Sequence, residues 1–81
     1  MTIEVNVFGI AKDILKNDRV AIEIEHSEPT IDTLKQALIE RFPGLLQLPS
    51  FLFAVNESYA DNNQVISDKD DIAIIPPTSG G

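Results

Sequence analysis

The sequence predicts an α+β fold in which a mixed sheet of four to five strands is covered by one main helix, at about residues 30–42. Three observations carry that prediction. Two stretches of period-two alternation stand near the N-terminus, one stretch of helical period follows, and a run of consecutive aliphatic residues, Ile72-Ala73-Ile74-Ile75, closes the pattern. Eighty-one residues, 43% of them hydrophobic, suffice for one small domain without a large core.

Taken in order, Ile3, Val5 and Val7 alternate with Thr2, Glu4 and Asn6, which predicts a half-buried strand with Phe8 near its end. Gly9 breaks the alternation, and residues 10–15 are able to form a short helical turn before the polar turn Lys16-Asn17-Asp18. Val20, Ile22 and Ile24 then alternate with Ala21, Glu23 and Glu25, so the first two strands are expected to pair antiparallel. Thr30 is the candidate N-cap of the helix, with Asp32 in its electropositive first turn. Ile31, Leu34, Leu38 and Phe42 form the apolar stripe, flanked by Ala37 and Ile39. Lys35, Gln36, Glu40 and Arg41 fall on the other side, and Pro43-Gly44 ends the helix.

Leu45-Leu46-Gln47-Leu48-Pro49 is a short apolar connector with room for one more helical turn. Phe51 to Val55, apolar at every position, is expected to be a strand buried on both faces. Asn56-Glu57 turns the chain, Ser58-Tyr59-Ala60 returns briefly, and residues 67–71 turn into the last strand. The first and last strands are both apolar enough to lie side by side at the sheet's centre. This order, β-β-α-β-(β)-β, is that of the ubiquitin-like β-grasp, occupying residues 1–75, with residues 76–81 as a flexible extended tail.

Composition narrows the function. Six basic and thirteen acidic residues give a net charge of −7, which repels nucleic acid and anionic membranes and suits a basic protein partner. With no cysteine there is no disulfide framework, thiolate metal site or thiol nucleophile. The N-terminus lacks the basic-then-apolar pattern of a signal peptide, and no run is long enough to span a membrane, so a cytoplasmic setting is expected. His26 stands alone in a loop, and Asp68, Asp70 and Asp71 lack the ligand spacing and glycine of a calcium loop. No metal site is expected, and no cofactor bound by the chain itself. Ser58, Ser67 and Ser79 have no identifiable base, and there is no glycine-rich nucleotide loop. The body of the chain is expected to catalyse nothing.

The tail is different. Pro76 and Pro77 end the last strand, having no N–H for a ladder, and hold the preceding residues extended. Six extended residues reach about 20 Å. Gly80 and Gly81 carry no side chain and pass through a slot closed to any Cβ. The tip presents one reactive group, the Gly81 carboxylate, ionised at neutral pH and a poor electrophile until activated, for instance as a mixed anhydride with AMP. A terminal Gly-Gly by itself reads as a loose end. The whole arrangement of strand, Pro-Pro, two small residues and Gly-Gly favours a presented carboxylate.

From Asp70 to Gly81 the sequence resembles the C-terminal signature of the small, sulfur-carrying subunit of molybdopterin synthase, of the MoaD/ThiS type. The likeness extends to Ala54-Val55-Asn56 with its hairpin and to Phe8-Gly9-Ile10-Ala11, and the order of elements matches across the chain. Lys69 departs from it, standing where that family often has glycine, so the turn before the last strand is the expected point of difference.

The resemblance implies a sulfur carrier of molybdenum cofactor biosynthesis, not an enzyme on its own. A ubiquitin-activating-type adenylyltransferase, using ATP, would adenylate Gly81, with Gly80 beside it, and a sulfur donor protein would convert the adenylate to a thiocarboxylate. The tail would then enter the large synthase subunit, in a heterotetramer, and deliver sulfur to the cyclic pterin precursor. Docking is expected to use Phe8, Tyr59 and Ile75 together with the stem Pro76, Pro77, Thr78 and Ser79. Sequence alone reads Phe8, Tyr59 and Ile75 equally well as core. Other readings share the fold: a carrier for thiamin or for tRNA thiolation, a ubiquitin-like protein modifier, or a β-grasp interaction module whose tail is idle.

Overall fold

The computed structural model describes residues 1–76 and places them in one five-stranded sheet with helices on one face. Strand β1 (Thr2–Val7) buries Ile3, Val5 and Val7 and turns Thr2 and Glu4 outward, as its alternation requires. It pairs antiparallel with β2 (Arg19–Glu23), in a register running from Thr2 opposite Glu23 to Asn6 opposite Arg19. On its other side β1 runs parallel to β5 (Ile72–Ile75), with Val5 opposite Ile72 and Val7 opposite Ile74. Strand β3 (Leu52–Val55) pairs antiparallel with β5, and β4 (Ser58–Ala60) closes the far edge, giving the order β2-β1-β5-β3-β4. The first and last strands are thus neighbours at the centre of a mixed sheet, the β-grasp arrangement expected.

Between them runs the main helix α2 (Ile31–Arg41), whose Ile31, Leu34 and Leu38 are buried and whose Ala37, Ile39 and Phe42 pack at the margin. Thr30 is its N-cap: Thr33 N–H donates to the Thr30 hydroxyl at 3.3 Å, and Thr30 N–H donates back to the Thr33 hydroxyl at 3.2 Å. The next amides, of Ile31 and Asp32, donate to the carbonyls of Gln64 and Asn62, so the loop before β5 completes the cap. Lys35 is only half exposed, its ammonium lying 5.4 Å from the Phe51 ring centre.

Both short helical turns that the sequence allowed are present. The predicted turn at residues 10–15 is a seven-residue helix, α1 (Gly9–Leu15), that starts at the glycine itself and ends where Lys16 takes a left-handed φ of 59°. It lies against β1 and β5 while the main helix, α2, lies against β2, so the short helix adds to the cover that the main helix gives. The connector after α2 is a 3₁₀ helix, Pro43–Gln47, seated by the buried Leu45.

Phe51–Val55 is not buried on both faces. The strand begins at Leu52, and only Phe53 and Val55 point into the core. The helices form a single layer, so among the described residues nothing covers the opposite face of the sheet, and Leu52 remains 56% exposed.

The turn before β5 is built without glycine. The Asp70 carboxylate accepts from Ser67 N–H at 2.8 Å and from the Asn56 side-chain amide nitrogen at 3.1 Å, while Asp71 N–H donates to the Asn56 side-chain amide oxygen at 2.9 Å. Lys69 keeps a φ outside the left-handed region, so lysine stands there without strain. Asn56 and Glu57 carry the positive φ values, 51° and 71°, of the hairpin between β3 and β4.

Candidate functional site: the open face around the tail root

Alternation along each strand decides what the uncovered face presents. On β5 it is Ala73 and Ile75, on β3 Leu52 and Ala54, and on β4 Tyr59, with Leu52 opposite Ile75 and Ala54 opposite both Ala73 and Tyr59. Phe8 follows Val7, whose neighbour on β5 is Ile74, and so extends the same face next to Ile75. Phe8 is 53% exposed and Tyr59 72% exposed, whereas Ile75 and Pro76 are half-buried. Ala54, Glu57, Tyr59 and Ile75 line one shallow depression.

The apolar half of the sheet therefore surrounds the point where β5 ends and the tail begins. An apolar area of this kind, left open on a small domain and rimmed by charge, marks a surface that meets a partner. Of the residues expected to dock, Phe8, Tyr59, Ile75 and Pro76 come together here. Pro77, Thr78, Ser79, Gly80 and Gly81 lie outside the described residues. Leu52, expected to be buried, joins this face: the structure turns Phe53 and Val55 inward, so period two sends Leu52 and Ala54 outward, which an all-apolar segment does not announce.

The other half of the face is polar. Arg19 pairs with Glu4 at 3.6 Å and donates to the Asn6 side-chain amide oxygen at 3.3 Å, and the Asn6 amide nitrogen in turn donates to the Asp71 carboxylate at 2.9 Å. At its edge the Thr2 hydroxyl donates to the Glu23 carboxylate, and the terminal ammonium lies 3.5 Å from the same group. The Thr2 hydrogen bond first, and the ammonium's charge second, hold the Glu23 carboxyl below the usual carboxylate range. A folded-state pKa below the unfolded value means that this contribution to stability is present above the unfolded titration, near 4.3, and is lost as pH falls through the folded one. Thr2→Val is expected to move the Glu23 titration back up, read by carboxyl NMR. An unmoved titration would show that the ammonium alone sets it.

The remaining candidates recede. His26 is exposed in the loop after β2. Asp70 and Asp71 are spent on the turn and on Asn6, and among the described residues no group of three or more His, Cys, Asp or Glu side chains is placed to hold a metal. Also among the described residues, no helix is long and apolar enough to cross a membrane.

Comparison with known proteins decides the family. The ThiS family matches residues 5–81. This chain belongs to the ThiS family. The molybdopterin synthase sulfur carrier subunit of Dictyostelium discoideum is 35% identical over 78 residues, covering 93% of this chain and 91% of the relative. That of Escherichia coli K12 is 29% identical, covering 98% and 99%. Among solved structures, the complex of subunits 1 and 2 of molybdopterin-converting factor from Helicobacter pylori contains a chain that superposes with a TM-score of 0.68 at 29% identity, over the whole of both chains. SAMP1 of Haloferax volcanii reaches a TM-score of 0.85 at 19% identity and shares the β-grasp fold.

Proposed function

We propose that this ThiS-family chain is the sulfur carrier subunit of a molybdopterin synthase, serving molybdenum cofactor biosynthesis. The observation that carries the reading is the position of the tail root, beside an apolar sheet face that the helices leave open. Relatives of nearly the same length bear that function in their names, and a solved relative is a subunit of a two-protein complex.

In this reading the Gly81 carboxylate attacks the α-phosphorus of ATP on a ubiquitin-activating-type adenylyltransferase, and pyrophosphate leaves. Hydrosulfide supplied by a donor protein then attacks the acyl carbon and AMP leaves, giving a C-terminal thiocarboxylate. The apolar face docks on the large synthase subunit, two of each forming the heterotetramer, and the tail passes sulfur to the cyclic pterin precursor, after which water cleaves the acyl–sulfur bond and restores the carboxylate. The chain supplies reach, a docking face and a labile sulfur, and its partners supply catalysis. The net charge of −7 favours encounter with basic docking surfaces.

The test is the intact mass of the full chain after incubation with ATP, a matched adenylyltransferase and a sulfur donor. Exchange of oxygen for sulfur at the ionised carboxylate adds about 16 Da. Sulfur transfer on adding the large subunit and the pterin precursor identifies the pathway. An unchanged mass, with an adenylyltransferase competent on its own carrier, overturns the proposal.

A further inference from the structure

Pro76, the first residue beyond β5, does not leave the domain freely. Its ring rests on Gly9, the residue that opens α1. A Cβ built on Gly9 would lie 3.0 Å from Pro76 Cγ and 3.9 Å from Cδ, the first distance inside ordinary van der Waals contact. Gly9 also has a φ of +59°, which an L side chain adopts only at a cost. Two separate features of this position thus call for a glycine, and one of them concerns the tail and not the helix.

The geometry points to Gly9 as a positioning residue for the tail: its bare backbone is the seat on which the Pro76 ring lies, and the seat fixes the direction in which the last residues leave the docking face. The inference rests on the carrier reading and deepens it. Ile75, as the residue before a proline, is confined to extended backbone, and Pro76 has its own φ fixed near −65°. Those two restraints set the local shape of the stem. The contact with Gly9 adds the third, tying the stem to the body between Phe8 and Ile75. A carrier held on its partner by the apolar face then presents its carboxylate as an intramolecular reactant, whose rate depends on aim.

The test uses the full chain with ATP and its adenylyltransferase, measuring kcat and KM for the carrier alongside the unfolding midpoint. Gly9→Ala meets both the left-handed backbone and the Pro76 ring. Gly9→Asn keeps a residue that tolerates left-handed backbone but still adds the Cβ. Because a misplacement near 1 Å costs up to about a hundredfold in rate, Gly9→Asn is expected to lower kcat about ten- to a hundredfold. KM, governed by the docking face, should stay within about twofold of the unaltered chain, whereas a merely unstable variant would raise the apparent KM by lowering the amount of folded carrier. Combining Gly9→Asn with Pro76→Ala removes the ring atom that the new Cβ meets, so the pair should recover activity relative to the sum of the single changes. If Gly9→Asn does not fold, Pro76→Ala alone empties the seat and should show the same loss in kcat.

An unchanged kcat in a folded Gly9→Asn chain, or strict additivity in the double variant, overturns the inference. If Gly9→Asn does not fold, an unchanged kcat in Pro76→Ala overturns it equally. Failure of the unaltered chain to be activated is a different result and overturns the carrier reading itself.

Discussion

Ile75→Glu is expected to weaken binding of the large synthase subunit about thirty- to several-hundredfold while leaving a folded domain. Ile75 is half-buried at the last position of β5, beside Leu52 and sharing a depression with Tyr59 and Ala54. A carboxylate at the centre of a desolvated apolar contact must give up water without gaining a partner, and losses at such positions run to about 2–4 kcal/mol, with each 1.4 kcal/mol worth tenfold in Kd. The fold is affected far less. Ile72 and Ile74 carry the core face of β5, and the solvent face loses only strand preference and one cross-strand contact, worth about 1 kcal/mol at most. Titration calorimetry against the purified large subunit, with thermal unfolding alongside, separates the two effects. Leu52→Glu should behave in the same way, because Leu52 faces Ile75 across the strand pair. Unaltered affinity in both variants would remove this face from the interface.

Local pattern predicted the elements whose physics is local. Ile72–Ile75 reads as a strand because it is rich in β-branched residues and ends at two prolines, and it does pair with β1 at the sheet's centre, with Ile72 and Ile74 alone fully buried. Thr30 reads as an N-cap because a hydroxyl there finds a free amide, and Thr33 supplies it. What escaped the sequence depends on contacts between distant segments. Carbonyls of Asn62 and Gln64 complete the cap of α2, which no spacing around residue 31 announces. Lys16 closes α1 in a left-handed conformation that the sequence does not signal with the usual glycine or asparagine. Leu52 was misjudged because a fully apolar segment carries no record of which face the helices will cover. Gly9 was legible only as a strand breaker, since the Pro76 ring that needs it lies at the other end of the chain.

Removing the Gly81 carboxylate is expected to abolish sulfur loading altogether. Two variants divide the cause. A chain ending in a C-terminal amide keeps every residue and loses only the ionisable group, and an amide is too weak a nucleophile to take AMP from ATP. It should gain no mass, whereas the unaltered chain gains about 16 Da at its ionised terminus. The thirteen side-chain carboxylates remain as internal controls, so any sulfur gained by the amidated chain would place the chemistry elsewhere and overturn the mechanism. Deleting Gly81 instead restores a carboxylate on Gly80 but sets it back by one residue, about 3.5 Å. A shift of that size exceeds the roughly 1 Å that already costs about a hundredfold, so loading should fall at least that far. Neither change should alter the unfolding midpoint, because β5, the last strand among the described residues, ends at Ile75. Loading of the shortened chain at the normal rate would mean that the activating site follows the tail wherever it ends, and that the length from the Gly9 seat to the terminus carries no information.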